Sequence, residues 1–360
     1  MNGSGRAGPD RSAAGSASGQ TGRVDSLSRR GLLAGTLAGA LGTAGCGSGH
    51  GAPAPASGRA PASASAPSAS SSGASAASSG PSAALPQFAP WQPSGNDIDP
   101  QVKLRAAQLI EALGGWPTGQ QGLAAARGRV SALGLDPALA AQAGPLLPDA
   151  PAASLEVLEA QYGGILSDSA SVLVVCRQWT RNQQGLVVPG GTTVDVRLSQ
   201  ARPRWTVTAL HPAQPGPAAG SLPAAAQRVL ASSAITLPPA AEADVRSGNV
   251  HQSALEALLT LTGKYRMELS VVRSGHPTDV FGTDRPSDHP KGRAFDVWRI
   301  DGHEVVDPAT PKSLVEGFMR AAAAAGSYNV GGPWLLSGGA PDQFFSDDTH
   351  HDHVHAGFDS

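Results

Sequence analysis

Cysteine is almost absent from this chain. Its two residues, Cys46 and Cys176, cannot build a disulfide framework, so any extracellular stability must come from packing or a metal. Runs of Lys or Arg are also missing, and the net charge is -2, which argues against a nucleic-acid surface. No apolar run is long enough to span a bilayer; the best one, Leu32 to Ala44, is too short and too rich in Gly and Ala. Large apolar residues are nearly lacking between Gly47 and about Pro90, where Ala, Ser, Gly and Pro dominate. Such a segment cannot repay the entropy of ordering and is expected to be a flexible tether.

The N-terminal pattern is an address. Ser28-Arg29-Arg30-Gly31-Leu32-Leu33 resembles the twin-arginine export motif, and the apolar run after it has the length of a signal h-region. Gly42-Thr43-Ala44-Gly45-Cys46 resembles a bacterial lipobox, with small residues directly before the Cys and Thr43 in place of the usual Leu. The resemblance implies export of a folded protein and a lipid anchor on Cys46. The expected location is the outer face of the cytoplasmic membrane or the cell wall.

The remainder divides at the Pro/Gly-rich stretch Pro212 to Pro223. The expected organisation is a signal with lipobox over 1–46, a disordered linker over 47–95, a small α+β domain over 96–212 and a second domain over 222–360. In the first domain, helices are expected after Pro100 up to Gly114-Gly115, over Leu123–Leu133 and over Leu155–Tyr162. Strands are expected over Ser171–Cys176, Thr192–Ser199 and Arg204–Leu210. Cys176 falls inside an apolar strand and reads as a buried, inert thiol. This segment holds no catalytic constellation. In the second domain, Leu222–Ser232, Pro239–Arg246 and His251–Leu261 read as helices, and Met267–Val272 as a strand.

Histidine is unevenly placed: seven of the ten follow residue 270, and four lie between His350 and His355. His289 precedes a Pro and sits in an expected loop. Asp296 interrupts an apolar β-like stretch, Ala294 to Ile300, where a carboxylate is costly unless paired or metal-bound. His353 and His355 are two apart and would share one face of a strand; strand geometry alone does not place His350 and His351 as well. A catalytic zinc takes about three protein ligands, His and carboxylate favoured, and keeps an open position. The loop His, the strand Asp and the His-x-His pair supply such a set with one group to spare. A solvated terminal tract or purification tag is the bland alternative, opposed by the interrupting Asp and Val and the apolar residues that follow.

Ser287-x-His289-x-x-Gly292-x-Ala294-x-Asp296 resembles the signature of the D-alanyl-D-alanine carboxypeptidase family. That family is grouped with lysostaphin-type endopeptidases and the hedgehog signalling domain around a His-x6-Asp element and a later His-x-His or Glu-x-x-His element. The resemblance covers about Val250 to Phe358. It implies a small antiparallel sheet with flanking helices around one Zn2+, with His289, Asp296 and His355 as ligands. It also implies a general base: His353 assisted by His350, or Asp352 in the position where some members carry Glu. One departure concerns the Ser-Gly-Tyr-Arg stretch of many members, which reads Ser274-Gly275-His276-Pro277 here. Arg273 and Arg285 are nearby cations, with Arg273 the first candidate to hold charge on a substrate.

The expected function is that of a monomeric zinc peptidase of the cell envelope. It would cleave peptidoglycan stem peptides near D-alanine by metal-activated water. The alternatives are an inactive zinc domain that binds wall fragments or a partner protein, and a metal-delivery lipoprotein. Gly331-Gly332-Pro333-Trp334 is expected to shape a loop near the site, with Trp334 in the core or stacked on a ligand. Phe344 and Phe345 are expected in the core.

Overall fold

In the computed structural model the structure describes residues 84–202 and 204–359. The twin-arginine stretch, the lipobox with Cys46 and the linker up to residue 83 lie outside the described residues. None of the helices among the described residues is long and apolar enough to cross a membrane.

The chain is α+β, built on two sheets. The first half begins with α1 (Pro100–Gly114) and α2 (Gly122–Ala132), followed by β1 (Ala152–Ile165), β2 (Ser169–Arg181), β3 (Val187–Ser199) and β4 (Thr206–Pro212). Pro100 sits in the first turn of α1, where its missing N–H costs nothing. Val102, Ala106, Leu109, Ile110 and Leu113 then bury one face of the helix. The four strands form an antiparallel sheet in sequence order. Val172, Val174 and Cys176 of β2 point toward the helices and belong to the first hydrophobic core. Leu173 and Val175 alternate to the other face and are also buried, so this sheet is covered on both sides. A Cβ on Gly114 would come within 2.0 Å of Leu155; glycine there allows the helix end to close onto β1.

β1 corrects an expectation. Leu155–Tyr162 was expected to be helical from the spacing of its apolar residues, but it lies within a 14-residue strand. Its register slips between Val157 and Glu159 and again between Tyr162 and Gly164. From Glu159 to Gly164 every residue is buried. Bulges that shift the phase, together with burial on both faces, erase the period-two signal. The expected linker boundary is also too late. Ser154 donates through Oγ to the Pro86 carbonyl at 2.5 Å, and Phe88 stacks on Trp179 with ring centroids 4.9 Å apart.

The second half runs α3 (Ala224–Ala231), β5 (Ile235–Thr236), α4 (Pro239–Arg246), α5 (Gln252–Leu261), β6 (Met267–Val271), β7 (Ala294–Ile300), β8 (His303–Glu304), α6 (Lys312–Ala324), β9 (Asn329–Gly331), β10 (Phe344–Phe345) and β11 (Val354–Gly357). The sheet order is β10-β9-β11-β7-β6-β5, with β8 paired to β7. The sheet is mixed rather than purely antiparallel, because β5/β6 and β9/β10 pair in parallel. The first of these follows from a helical crossover through α4 and α5, which returns the chain in the same direction. Phe295, Val297, Val354 and Ala356 face a second core containing Leu255, Leu258, Phe318 and Met319. The residues between them, Asp296 and His355, face the opposite way and pair directly across the strands.

The aromatic pair should anchor the segment before α1. Phe88→Ala is expected to lower unfolding free energy by about 1 kcal/mol, read as a shift in the urea midpoint with an unchanged slope.

Candidate metal centre

The centre starts from Asp296. Its carboxylate is fully buried on the face of β7 turned away from the helical core. Oδ1 lies 2.9 Å from His355 Nδ1 and 3.2 Å from His289 Nε2. Those two nitrogens are 3.2 Å from each other. Burial alone would raise this carboxyl, but the surrounding imidazoles of His289, His353 and His355 hold it well below the usual range.

Local sequence explains how His289 arrives. It opens a single 3-10 turn that Gly292 closes at φ 69°. A Cβ at 292 would meet the Asn249 carbonyl oxygen at 2.2 Å, so both the left-handed backbone and the close approach call for glycine. Ser287 Oγ accepts from the His289 N–H at 3.3 Å. His289 Nδ1 donates to the Val272 carbonyl at 2.9 Å, which leaves Nε2 with its lone pair aimed at the centre. Ala294, fully buried, pairs with Gly357 where β7 enters the sheet. Each fixed position of the Ser-x-His-x-x-Gly-x-Ala-x-Asp pattern thus has a local structural task.

His289 Nε2, His355 Nδ1 and Asp296 Oδ1 form a triangle with edges of 2.9–3.2 Å. A lone pair facing a carboxylate oxygen at that distance needs a proton or a cation between them. A tetrahedral zinc with bonds of about 2.0–2.1 Å sets its donor atoms about 3.3 Å apart, so the donor set fits that ion in type and spacing. His276 stacks on His289 with ring centroids 4.1 Å apart. It also offers a ligand atom within 4.8 Å of those of His289 and Asp296. Burial and the neighbouring His289 push its pKa well below the ordinary histidine value. The same burial brings His355 down to about 4. Both rings are thereby held neutral, the form that binds metal.

His353 stands beside the triangle. Its Nδ1–H donates to Asp352 Oδ1 at 2.6 Å, which puts the lone pair of the neutral ring on Nε2, 3.9 Å from Asp296 Oδ2. Burial lowers its pKa, but Asp296 and Asp352 outweigh that and raise it. Asp352 is committed elsewhere: Oδ2 accepts from the Tyr162 N–H at 3.0 Å and pairs with Lys103 at 2.6 Å. Its geometry is that of a carboxylate that orients an imidazole. Residues Thr349–His351 form a 3-10 turn with an irregular backbone at His350, which resolves the placement that a single strand could not. His350 turns into the cavity, bonded to Asp347 at 2.7 Å, while His351 turns out to the Asn96 carbonyl at 2.9 Å. A Cβ on Gly331 would strike Phe345 and His350, so this glycine lets both rings close on the centre.

The histidines open into a cavity of about 410 Å³, walled by Gly163, Gly164 and Leu166 from the first half and Phe281, Arg285 and Phe345 from the second. Arg273 is not brought to it. Its guanidinium turns to Asp244 at 3.7 Å and the Pro215 carbonyl, whereas Arg285 lies on the cavity wall. Phe345, expected in the core, lines the cavity too. Trp334 packs against the second core, with Lys312 over its ring. Sequence reasoning passed over His276 as a candidate ligand, although a histidine in the turn that follows β6 was a usable signal. It also missed Lys103, a lysine on the Ala106, Ala107 and Ile110 face of α1.

No family model, curated protein or solved structure matches this chain.

The donor triangle makes a separable prediction. His289→Ala, Asp296→Asn and His355→Ala should each lose stoichiometric zinc, while His276→Ala should keep it, as measured by elemental analysis after dialysis.

A second prediction concerns Glu159, which lies beside the Lys103 cluster and is only 7% exposed. Burial raises it to about 8 from 4.5, against the pull of Lys103. A carboxyl raised on folding contributes stability below its unfolded pKa, and that contribution is lost as pH rises toward its folded pKa. The stability of Glu159→Gln relative to the unmutated chain should therefore increase from pH 5 to pH 8 in urea titrations.

Proposed function

We propose that this chain is a zinc-dependent peptidase of the bacterial envelope, acting on peptidoglycan stem peptides near D-alanine. The observation that carries the hydrolase reading is an oriented base beside a metal-compatible donor triangle. Asp352 holds His353 Nδ1, so the neutral imidazole carries its lone pair on Nε2, at the edge of an open cavity. The choice of substrate and compartment rests on the resemblance of Ser287 to Asp296 and of the N-terminal address, including the lipid anchor proposed on Cys46.

His289, Asp296 and His355 would hold the ion. Zinc, when bound there, supplies Lewis acidity toward water and a substrate carbonyl. The residues of the chain do the rest. His353 takes a proton from the attacking water and returns it to the leaving amine. Asp352, neutralised on its other side by Lys103, stabilises the imidazolium that forms between those steps. His350, supported by Asp347, and Arg285 are the cavity groups that can face negative charge developing on the carbonyl oxygen. Phe281 and Phe345 supply apolar wall for side chains flanking the bond.

A second reading, a zinc domain that binds wall fragments without cutting, is favoured by one observation. Pro277 stands where many related proteins carry Arg, and Arg273 is engaged outside the cavity. Incubation of the full chain with stem peptides ending in D-alanine separates the two. Cleavage should fall by ~10²–10⁴-fold in His353→Ala, with bound zinc unchanged, and vanish with the zinc in His289→Ala. A zinc-loaded wild-type chain that binds these peptides and leaves them intact would decide for the binding domain.

A further inference from the structure

We propose that Gln161 and Lys103, both from the first half of the chain, are positioning residues of the metal centre in the second half. The inference rests on the zinc reading of that centre.

Gln161 lies on β1 and is fully buried. Its amide is used at both ends. Ser270 Oγ donates to Oε1, and Nε2 donates to Asp296 Oδ2 at 2.6 Å. The hydroxyl and the carboxylate together fix which way the amide points. One carboxylate oxygen of Asp296 is thereby occupied by a neutral donor. Only Oδ1 remains for the triangle with His289 and His355, so Gln161 sets both the rotation of the carboxylate and its denticity.

Lys103 does the same for the base. It is completely buried on α1, with its ammonium between Asp97 and Asp352. Burial would lower its pKa, but Asp352, Glu159 and Asp97 raise it above the ordinary value, so it stays charged. Asp352 Oδ2 is held by that ammonium and by the Tyr162 N–H, which leaves Oδ1 to receive His353. A buried Lys–Asp pair is a poor source of stability, because desolvation offsets the attraction. What this pair does supply is an Asp352 that cannot rotate away from His353. Groups that orient metal ligands typically change metal affinity by ~10–100-fold when removed.

The test uses the full chain and two readouts that need no turnover. Zinc affinity, from competition with a chromophoric chelator, should weaken ~10–100-fold in Gln161→Leu, with circular dichroism showing the apo fold intact. In the apo protein, the far-downfield ring N–H proton resonance of His353, assigned by its loss in His353→Ala, should shift or vanish in Lys103→Met. In turnover, Lys103→Met should lower kcat and leave KM nearly unchanged. Should Lys103→Met not fold, Lys103→Gln, which keeps a donor and removes the charge, carries the same resonance measurement. Zinc affinity within twofold of wild type in Gln161→Leu, with an unmoved His353 resonance, would overturn the proposal. If the wild-type chain takes up no zinc, the zinc reading fails on its own account, and the His353 resonance still decides the role of Lys103. A chain that binds zinc and cleaves nothing leaves both readouts in force.

Discussion

One buried carboxylate sets the terms for the rest of this structure. Asp296 stands in the middle of a strand whose neighbours Phe295 and Val297 belong to the hydrophobic core. An ionised group in that position costs several kcal/mol unless it is paired and hydrogen-bonded. Both oxygens are therefore met, one by two imidazoles and the other by an amide. The face of the sheet that carries it has to be polar at its centre and roofed against water. The helices cover the other face; the roof comes from the first sheet. The two halves of the chain have separate hydrophobic cores, and the polar layer between them is where the candidate chemistry lies.

Charge alternates through that layer. Asp97, Lys103, Asp352 and His353 follow one another in contact, and His353 leads back to Asp296. Each charged group has a neighbour of opposite sign, and the order turns Nδ1 of His353 toward Asp352. Such a network holds together only if all its members are present, because low local dielectric makes any unpaired member expensive. The polar layer therefore ties the two halves together through paired charges.

Much of the second half was legible in the sequence, since its signals are local. Gly292 fits a left-handed turn that ends the short helical turn opened by His289-Pro290, and Asp296 breaks an apolar run at a strand's centre. His353 and Asp352 could be told apart once the 3-10 turn over Thr349–His351 and the pull of Lys103 were in view. The first half was legible in its helices and in three of its strands. β1 was not, because its bulges shift the side-chain phase and its last residues are buried on both faces. Gln161 was hidden by the same error. His276 and Lys103 escaped for a different reason: their significance lies in what approaches them from distant parts of the chain. Arg273 shows the converse, a cation near the site in sequence whose side chain the fold engages outside it.

The position of β11 has a kinetic consequence. This strand, contributed by residues 354–357, lies inside the sheet between β7 and β9. It carries His355 and is preceded directly by His353. An interior strand from so late in the sequence means that the sheet cannot close until that segment has docked, and its contacts with residues 294–297 span about sixty positions. Long-range pairings of this kind are slow to form, since the chain loses loop entropy before it gains the contacts. A chain caught before this step would have helices, a first sheet and a partial second sheet, yet only two of the three donors of the triangle. The donor triangle would then be completed in a single late event of folding, together with the placement of His353 beside it.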